Sequence, residues 1–262
     1  MTSTHLKIIA LIAMFIDHYG LFISGTPEWM GWIGRIAAPV FIYCVVIGFK
    51  NTSNRIKYLV RLGVAAVGMS FINLFINLRI YYTDLSGPYL ELNFFSTLFL
   101  IAFLIMLLEN KRIKLFLLFF AWQFISFILF GLLEVFGFLP TPFAILVCQI
   151  SGNVLVVEGG PLLILLGVSF YFANDNRWTV AAGYSFYCLA MFYSVRRWGW
   201  RLDGFYQHLF GFPGYQWMMI FALPLLLLYN GKKGIGLKYL FYIFYPLHIV
   251  ILWYIGTLVL PK

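Results

Sequence analysis

From residue 6 to residue 260 the chain passes from one apolar run to the next, with only short polar links between them. The runs cover 6–23, 33–49, 58–78, 94–108, 113–136, 143–157, 161–173, 178–195, 217–229 and 239–260. A helix needs about 20 apolar residues to cross the hydrocarbon of a bilayer. Hydrophobic residues make up 63% of the chain and charged residues 10%. A soluble domain carries about 25% charged residues, so this chain could not cover its surface in water. Aromatics, with 29 Phe and 17 Tyr, suit a lipid-facing surface with interfacial belts. The expected fold is all-α: a polytopic membrane bundle of about ten transmembrane helices, with 1–262 as a single domain. No internal repeat and no soluble domain is visible. "VEGGP", between the sixth and seventh runs, reads either as a tight turn or as a break within one long tilted helix.

The first run is expected to stay as a span rather than be removed as a signal peptide. It carries Asp17 and His18 in its apolar stretch and lacks a small-residue cleavage site. Cys44, Cys148 and Cys188 each lie in a different run, with no CxxC and no metal spacing, and read as buried reduced thiols. The net charge of +9 does not point to nucleic acid, because the basic residues gather between apolar runs as they do in cytoplasmic loops. Lys50, Arg55, Lys57 and Arg61 form one such group, and Lys111, Arg112 and Lys114 another. Both fall on one side if each earlier run crosses, which puts the N-terminus in the cytoplasm. The rule then conflicts with itself: Arg196, Arg197 and Arg201 lie one short span from Lys232, Lys233 and Lys238. Either a basic cluster faces the other side and binds something anionic, or the helix count is off by one.

An ionisable group within a span costs about 2.5 kcal/mol or more unless it is paired or wetted, so each is a functional candidate. Here they are Asp17, His18, Arg35, Arg61 and His248, with Lys7, Glu134 and Glu158 near run ends. Lys7 and His18 are eleven positions apart, three helical turns, and so share a face about 16 Å apart along the axis. A cation at the rim and a base near mid-membrane suit a long ligand with an anionic head and a reactive tail, as in a coenzyme A ester. Lys7 could equally anchor the helix at the interface by snorkelling. Asp17 points about 100° away from His18 and has Arg35, in "GRIAAPVF", as a plausible ion-pair partner; a purely structural pair is the alternative. His18 suits taking a proton from an acceptor hydroxyl or amine, or is a core histidine on a backbone carbonyl.

In "KYLFYIFYPLHIVIL", Tyr239, Tyr242 and Tyr245 follow a three-residue rhythm that fits packing or a cavity wall. Pro246 should bend this helix, and His248 either lines the cavity of His18 or caps a carbonyl near the kink. "YNGKKG" reads as an Asn-Gly turn, or as a phosphate-holding loop through its amides and Lys232 and Lys233. Asn93 and Thr97, four apart on one helix face with Ser96 beside them, either bridge helices or line a cavity.

With "LKIIALIAMFIDHYG", "IGRIAAPVFIYCVVIGF", "RIKYLVRLGV", "LNFFSTLFL", "YNGKKG" and "KYLFYIFYPLHIVIL", the chain resembles the TraX family, named for the protein that N-acetylates F-pilin. That family is similar to the wider membrane acyltransferases, which carry an arginine and a histidine eleven positions apart in the first span. Lys7 and His18 occupy those places here, keeping the charge but losing the bidentate fork. The resemblance implies a multi-pass protein of the bacterial cytoplasmic membrane. It also implies an acyl-CoA donor, usually acetyl-CoA, bound from the cytoplasm, no metal, and an acceptor hydroxyl or amine on a glycan, peptide or lipid-linked substrate. His18 and Asp17 would form the catalytic centre. Lys7, Arg35, Arg61, Lys232 and Lys233 would hold the donor, and Asn93, Thr97, Tyr245 and His248 would line the cavity. A homodimer is compatible with the sequence. The rival readings are a proton-coupled transporter or flippase, with Asp17 and His18 as relay groups, and a structural membrane subunit whose polar groups only join helices.

Overall fold

The computed structural model describes residues 1–83, 89–173, 176–198 and 214–259. Arg201 and the end of the last run lie outside the described residues, as do the side chains of Glu134 and Lys238. The chain divides into two compact units, Met1–Lys50 with Leu165–Lys262, and Asn51–Ile164.

The first unit is built on α1 (Ser3–Phe22), α2 (Trp29–Gly34) and α3 (Ala37–Lys50). Thr2 caps α1 by accepting from the His5 N–H, and His5 reaches back to the Thr2 backbone. Leu6, Ala10 and Ala13 form the buried stripe of α1, and the two small residues let neighbouring helices approach closely. The run at 33–49 is not one helix. Pro39 has no N–H to bond back to Arg35, so it fits only in the first turn of a helix, and α3 begins afresh at Ala37.

The second unit holds α4 (Arg55–Thr83), α5 (Phe94–Asn110), α6 (Ile113–Phe136) and α7 (Thr141–Ser151). α8 (Gly160–Phe172) runs from this unit into the first, which then adds α9 (Arg177–Trp198), α10 (Gln216–Leu227) and α11 (Lys238–Tyr254). α10 starts as a 3-10 helix over Gln216–Ala222, and α11 runs through Pro246 into a π-helical turn at Ile255–Val259. "VEGGP" forms a turn, with the Gly160 N–H donating to the Val157 carbonyl at 2.9 Å. An irregular stretch over 152–159 separates α7 from α8.

Every apolar run contributes a helix. Five stretches are long and apolar enough to cross a membrane: Ser3–Phe22, Trp29–Lys50, Arg55–Thr83, Ile113–Leu133 and Tyr239–Val259. Four further apolar helices are shorter, Thr141–Ser151 at eleven residues being the shortest. The described residues thus show an all-helical, membrane-type fold with five stretches that meet this length and composition.

Within the first unit α1 and α11 lie side by side and run the same way. Lys7 Nζ sits 5.4 Å from the Phe241 ring centroid, Phe15 is 6.3 Å from Phe244, and His18 reaches His248. The far ends touch closely, since a Cβ on Gly256 would fall 2.1 Å from the Phe22 carbonyl oxygen. At the near end the 230–237 loop clasps the start of α1. The Ser3 and Thr4 N–H groups donate to the Lys232 and Lys233 carbonyls, at 2.9 and 3.2 Å. The Thr4 hydroxyl adds a bond to Ile235. The "YNGKKG" turn therefore uses its carbonyls to satisfy the unpaired amides of α1's first turn. Its own Lys232 amide donates to Asn230 Oδ1, as an Asn-Gly turn requires.

Candidate functional site

His18 stands on α1 fifteen residues past Ser3 and four before Phe22, about 22 Å from one end and 6 Å from the other. His18 thus lies nearer the C-terminal end of α1 than its middle. His18 Nδ1 lies 2.6 Å from His248 Nε2, with the two rings nearly parallel at an interplanar angle of 12°. On its other side His248 Nδ1 is 2.7 Å from the Phe244 carbonyl oxygen. His248 thus meets His18 and bonds a backbone carbonyl one turn back. His248 is buried, 3% exposed. Tyr245 packs edge-on against both imidazoles, 6.3 Å from His18 and 5.8 Å from His248. His18 Nε2 takes no hydrogen bond among the described residues.

Asp17 turns away from His18 to meet Arg35. Arg35 Nη2 donates to both carboxylate oxygens at 2.8 Å, Nη1 to Gln216 Oε1 at 3.0 Å, and Nε to the Gly31 carbonyl at 3.1 Å. The pair is about one-fifth exposed. Four of the five guanidinium N–H groups are engaged, which leaves one at Nη1. Gly34 makes the pairing possible, since a Cβ there would lie 2.2 Å from the carboxyl carbon of Asp17. Gln216 escaped the sequence reading. It sits at the start of α10, 181 residues from the arginine it holds.

Lys7 is half-buried, while Lys232 and Lys233 are exposed. All three belong to the end of the first unit where α1 begins. Arg177, at the start of α9, donates from Nη2 to the Tyr229 carbonyl and so joins the same end. α9 and α10 are antiparallel, with the Tyr184 hydroxyl donating to the Met219 carbonyl and Phe192 against Trp217. Arg196 and Arg197, in the last turn of α9, therefore lie about 30 Å from Lys232 and Lys233 along the bundle. The two basic groups of this unit thus stand at opposite ends of α9.

Arg61, Asn93 and Thr97 belong to the second unit. Arg61 lies over the Tyr58 ring at 5.6 Å, and its buried Nε takes no hydrogen bond among the described residues. Asn93 is not on α5 with Thr97 but is its cap: its Oδ1 accepts from the Phe95 N–H, and its amide donates to the Ala66 carbonyl at 2.7 Å. A side chain that bonds its own following amide holds extended backbone, which ends the helix one residue short. Thr97 donates to the Glu158 carbonyl at 2.7 Å. Both side chains bridge helices and irregular backbone. Cys44, Cys148 and Cys188 are buried and form no disulfide among the described residues.

Apolar helices that enclose an imidazole pair and a carboxylate–guanidinium pair define a helical membrane protein with an ionisable centre. The family described as TraX protein matches residues 2–256, and the chain belongs to that family. It is also 26% identical over 275 residues to the probable fimbrial assembly protein FimC, serogroup H1, of Dichelobacter nodosus, covering 96% of this chain and 94% of that protein. No solved structure matches the chain.

Proposed function

We propose that the protein is a membrane-embedded acyltransferase that moves an acyl group, acetyl in the simplest case, from acyl-CoA to a hydroxyl or amine. The observation that carries this reading is His18: an imidazole inside a membrane span, braced on one nitrogen by His248 and with the other unengaged, three turns along the same face from Lys7. His18 Nε2 takes the proton from the acceptor O–H or N–H as that atom attacks the thioester carbonyl carbon. The C–S bond breaks, and the same proton passes from His18 to the departing thiolate to give free coenzyme A. Asp17 and Arg35 hold α1 against α2 and keep the centre polar.

The donor's phosphates need cations and N–H donors. Lys7, Lys232 and Lys233 supply cations at one end of their unit. Arg35 has one N–H left and is better described as the partner of Asp17 than as a phosphate ligand. The Dichelobacter nodosus relative is a probable fimbrial assembly protein, which favours an acceptor on a fimbrial subunit.

The test is purified protein in lipid nanodiscs with radiolabelled acetyl-CoA, reading thioester loss and label transfer. His18→Ala should lower the rate by about 10²–10⁴-fold, the usual contribution of general base catalysis. Equal turnover by wild type and His18→Ala removes His18 from the chemistry. Solute flux across liposomes without any acyl donor would instead favour the transporter reading.

A further inference from the structure

We propose that His248 is a positioning residue that fixes the tautomer of His18, so that Nε2 of His18 is the bare nitrogen. The inference rests on the acyltransferase reading for its kinetic consequence, but its structural content stands apart from it.

The argument follows the protons along the chain of contacts. The Phe244 carbonyl can only accept, so His248 Nδ1, 2.7 Å away, carries a hydrogen. An imidazolium at His248 would be a buried cation, and among the described residues no carboxylate touches it. Neutral His248 with its hydrogen on Nδ1 has a lone pair on Nε2. That atom lies 2.6 Å from His18 Nδ1, so His18 Nδ1 is the donor. A neutral His18 that donates from Nδ1 has its lone pair on Nε2. Each direction follows from the one before, and the first is set by a backbone oxygen that cannot reverse.

Packing holds the relay in register. Phe244 stacks on His248 at 4.9 Å, Tyr245 packs against both imidazoles, and Phe15 lies 6.3 Å from His248. Without the second histidine, His18 would divide between two tautomers, and only one of them offers its base at Nε2. The logic is that of any base whose far nitrogen is oriented by a third group, with a second imidazole and a backbone carbonyl in the orienting place.

Nitrogen-15 spectra of histidine-labelled protein in nanodiscs read the tautomer directly, with His18→Ala and His248→Gln assigning the signals. The expected wild-type spectrum has His18 protonated at Nδ1 and unprotonated at Nε2. His248→Leu should turn this into a tautomer mixture. His248→Gln, whose Oε1 can accept from His18 Nδ1–H, should restore it. In the acetyl-transfer assay His248→Leu should lose about 10–100-fold in kcat with KM for acetyl-CoA unchanged, and His248→Gln should recover most of that loss. A wild-type His18 protonated at Nε2, or one indifferent to His248→Leu, overturns the inference even if acetyl transfer is robust. The expected spectra in a protein with no transferase activity would sink the acyltransferase reading and leave the tautomer assignment standing. If His248→Leu fails to fold, the wild-type spectrum decides alone.

Discussion

Two polar regions lie inside apolar helices here, one in each unit, and they are put together differently. In the second unit Ser70, Asn73 and Asn77 line one stripe of α4, each no more than 1% exposed. Their amides serve backbone. Asn77 exchanges two bonds with Leu90, at 3.2 and 2.8 Å, Asn73 donates to the Leu92 carbonyl, and Gln149 to the Leu90 carbonyl. Gln123 and Asn153 do the same for the irregular stretch before α8. Non-helical backbone survives at membrane depth only where its N–H and C=O groups are satisfied by the protein. In the first unit the polar groups are ionisable and bond one another: His18 with His248, Asp17 with Arg35. They support no irregular segment, and they leave a ring nitrogen and a guanidinium N–H over. Amides that complete a backbone hold a fold. Ionisable side chains that bond one another inside apolar helices, at the cost of burial, are candidates for chemistry.

The sharpest way to break this comparison is to pair His18→Ala with Asn77→Ala. The first should abolish most turnover, by about 10²–10⁴-fold, with little change in melting temperature. The second should leave the rate within a few-fold while stability falls, because the Leu90 N–H and C=O each lose a bond. If His18→Ala melts as poorly as Asn77→Ala and both keep their activity, the two regions are alike and both structural.

Next in size is the ion pair. Arg35→Met leaves the Asp17 carboxylate without its cation beside Gly34. Breaking a fully buried pair costs about 3–5 kcal/mol. With both partners about one-fifth exposed, the expected loss is smaller, about 2–3 kcal/mol, measured by chemical or thermal unfolding in detergent. Asp17→Asn combined with Arg35→Met should recover part of it, since no charge is then left alone. Strict additivity in that double-mutant cycle would show that the two side chains are not coupled, contrary to the bifurcated contact.

Asn77→Ala alone is expected to cost about 1–3 kcal/mol, the penalty for buried polar groups left unsatisfied. Asn77→Asp is the sharper probe. It keeps the acceptor for the Leu90 N–H but replaces the donor to the Leu90 carbonyl with a carboxylate, and should destabilise at least as much as alanine. An Asn77→Asp protein as stable as wild type would mean that the 89–93 segment does not depend on this contact.

These regions were unequally legible in the sequence. The apolar runs announced the helices, and a charged residue inside such a run is conspicuous, so Asp17, His18, Arg35 and His248 could be picked out directly. The spacing of Lys7 and His18 followed from helix geometry alone. The contact between His18 and His248 did not, because 230 residues separate them and no local period encodes it. The amides of α4 were passed over for a different reason. Asn73 and Asn77 sit in "FINLFINL" without charge, and the backbone they hold, at 90 and 92, is irregular, so no pattern announces the partner. The α2–α3 break did leave a signal in Pro39, outweighed in the reading by the unbroken apolarity around it.

The smallest expected effect concerns Lys232 and Lys233, whose side chains and backbone have separable jobs. Their carbonyls hold the first turn of α1, and truncating the side chains leaves those bonds in place. Lys232→Ala with Lys233→Ala should therefore leave the melting temperature unchanged. If the two ammonium groups also attract the donor's phosphates, KM for acetyl-CoA should rise about two- to fivefold with kcat constant, the modest scale of exposed charge pairs. The difference from wild type should fade as ionic strength rises and the Debye length shrinks from about 10 Å at 0.1 M salt to about 3 Å at 1 M. A KM that does not move at low salt would confine this loop to holding α1 and leave phosphate recognition in this unit to Lys7. A drop in kcat would mean that the loop reaches His18 through the register of α1, and would tie the near end of the helix to the centre about 22 Å away by the rise of about 1.5 Å per residue.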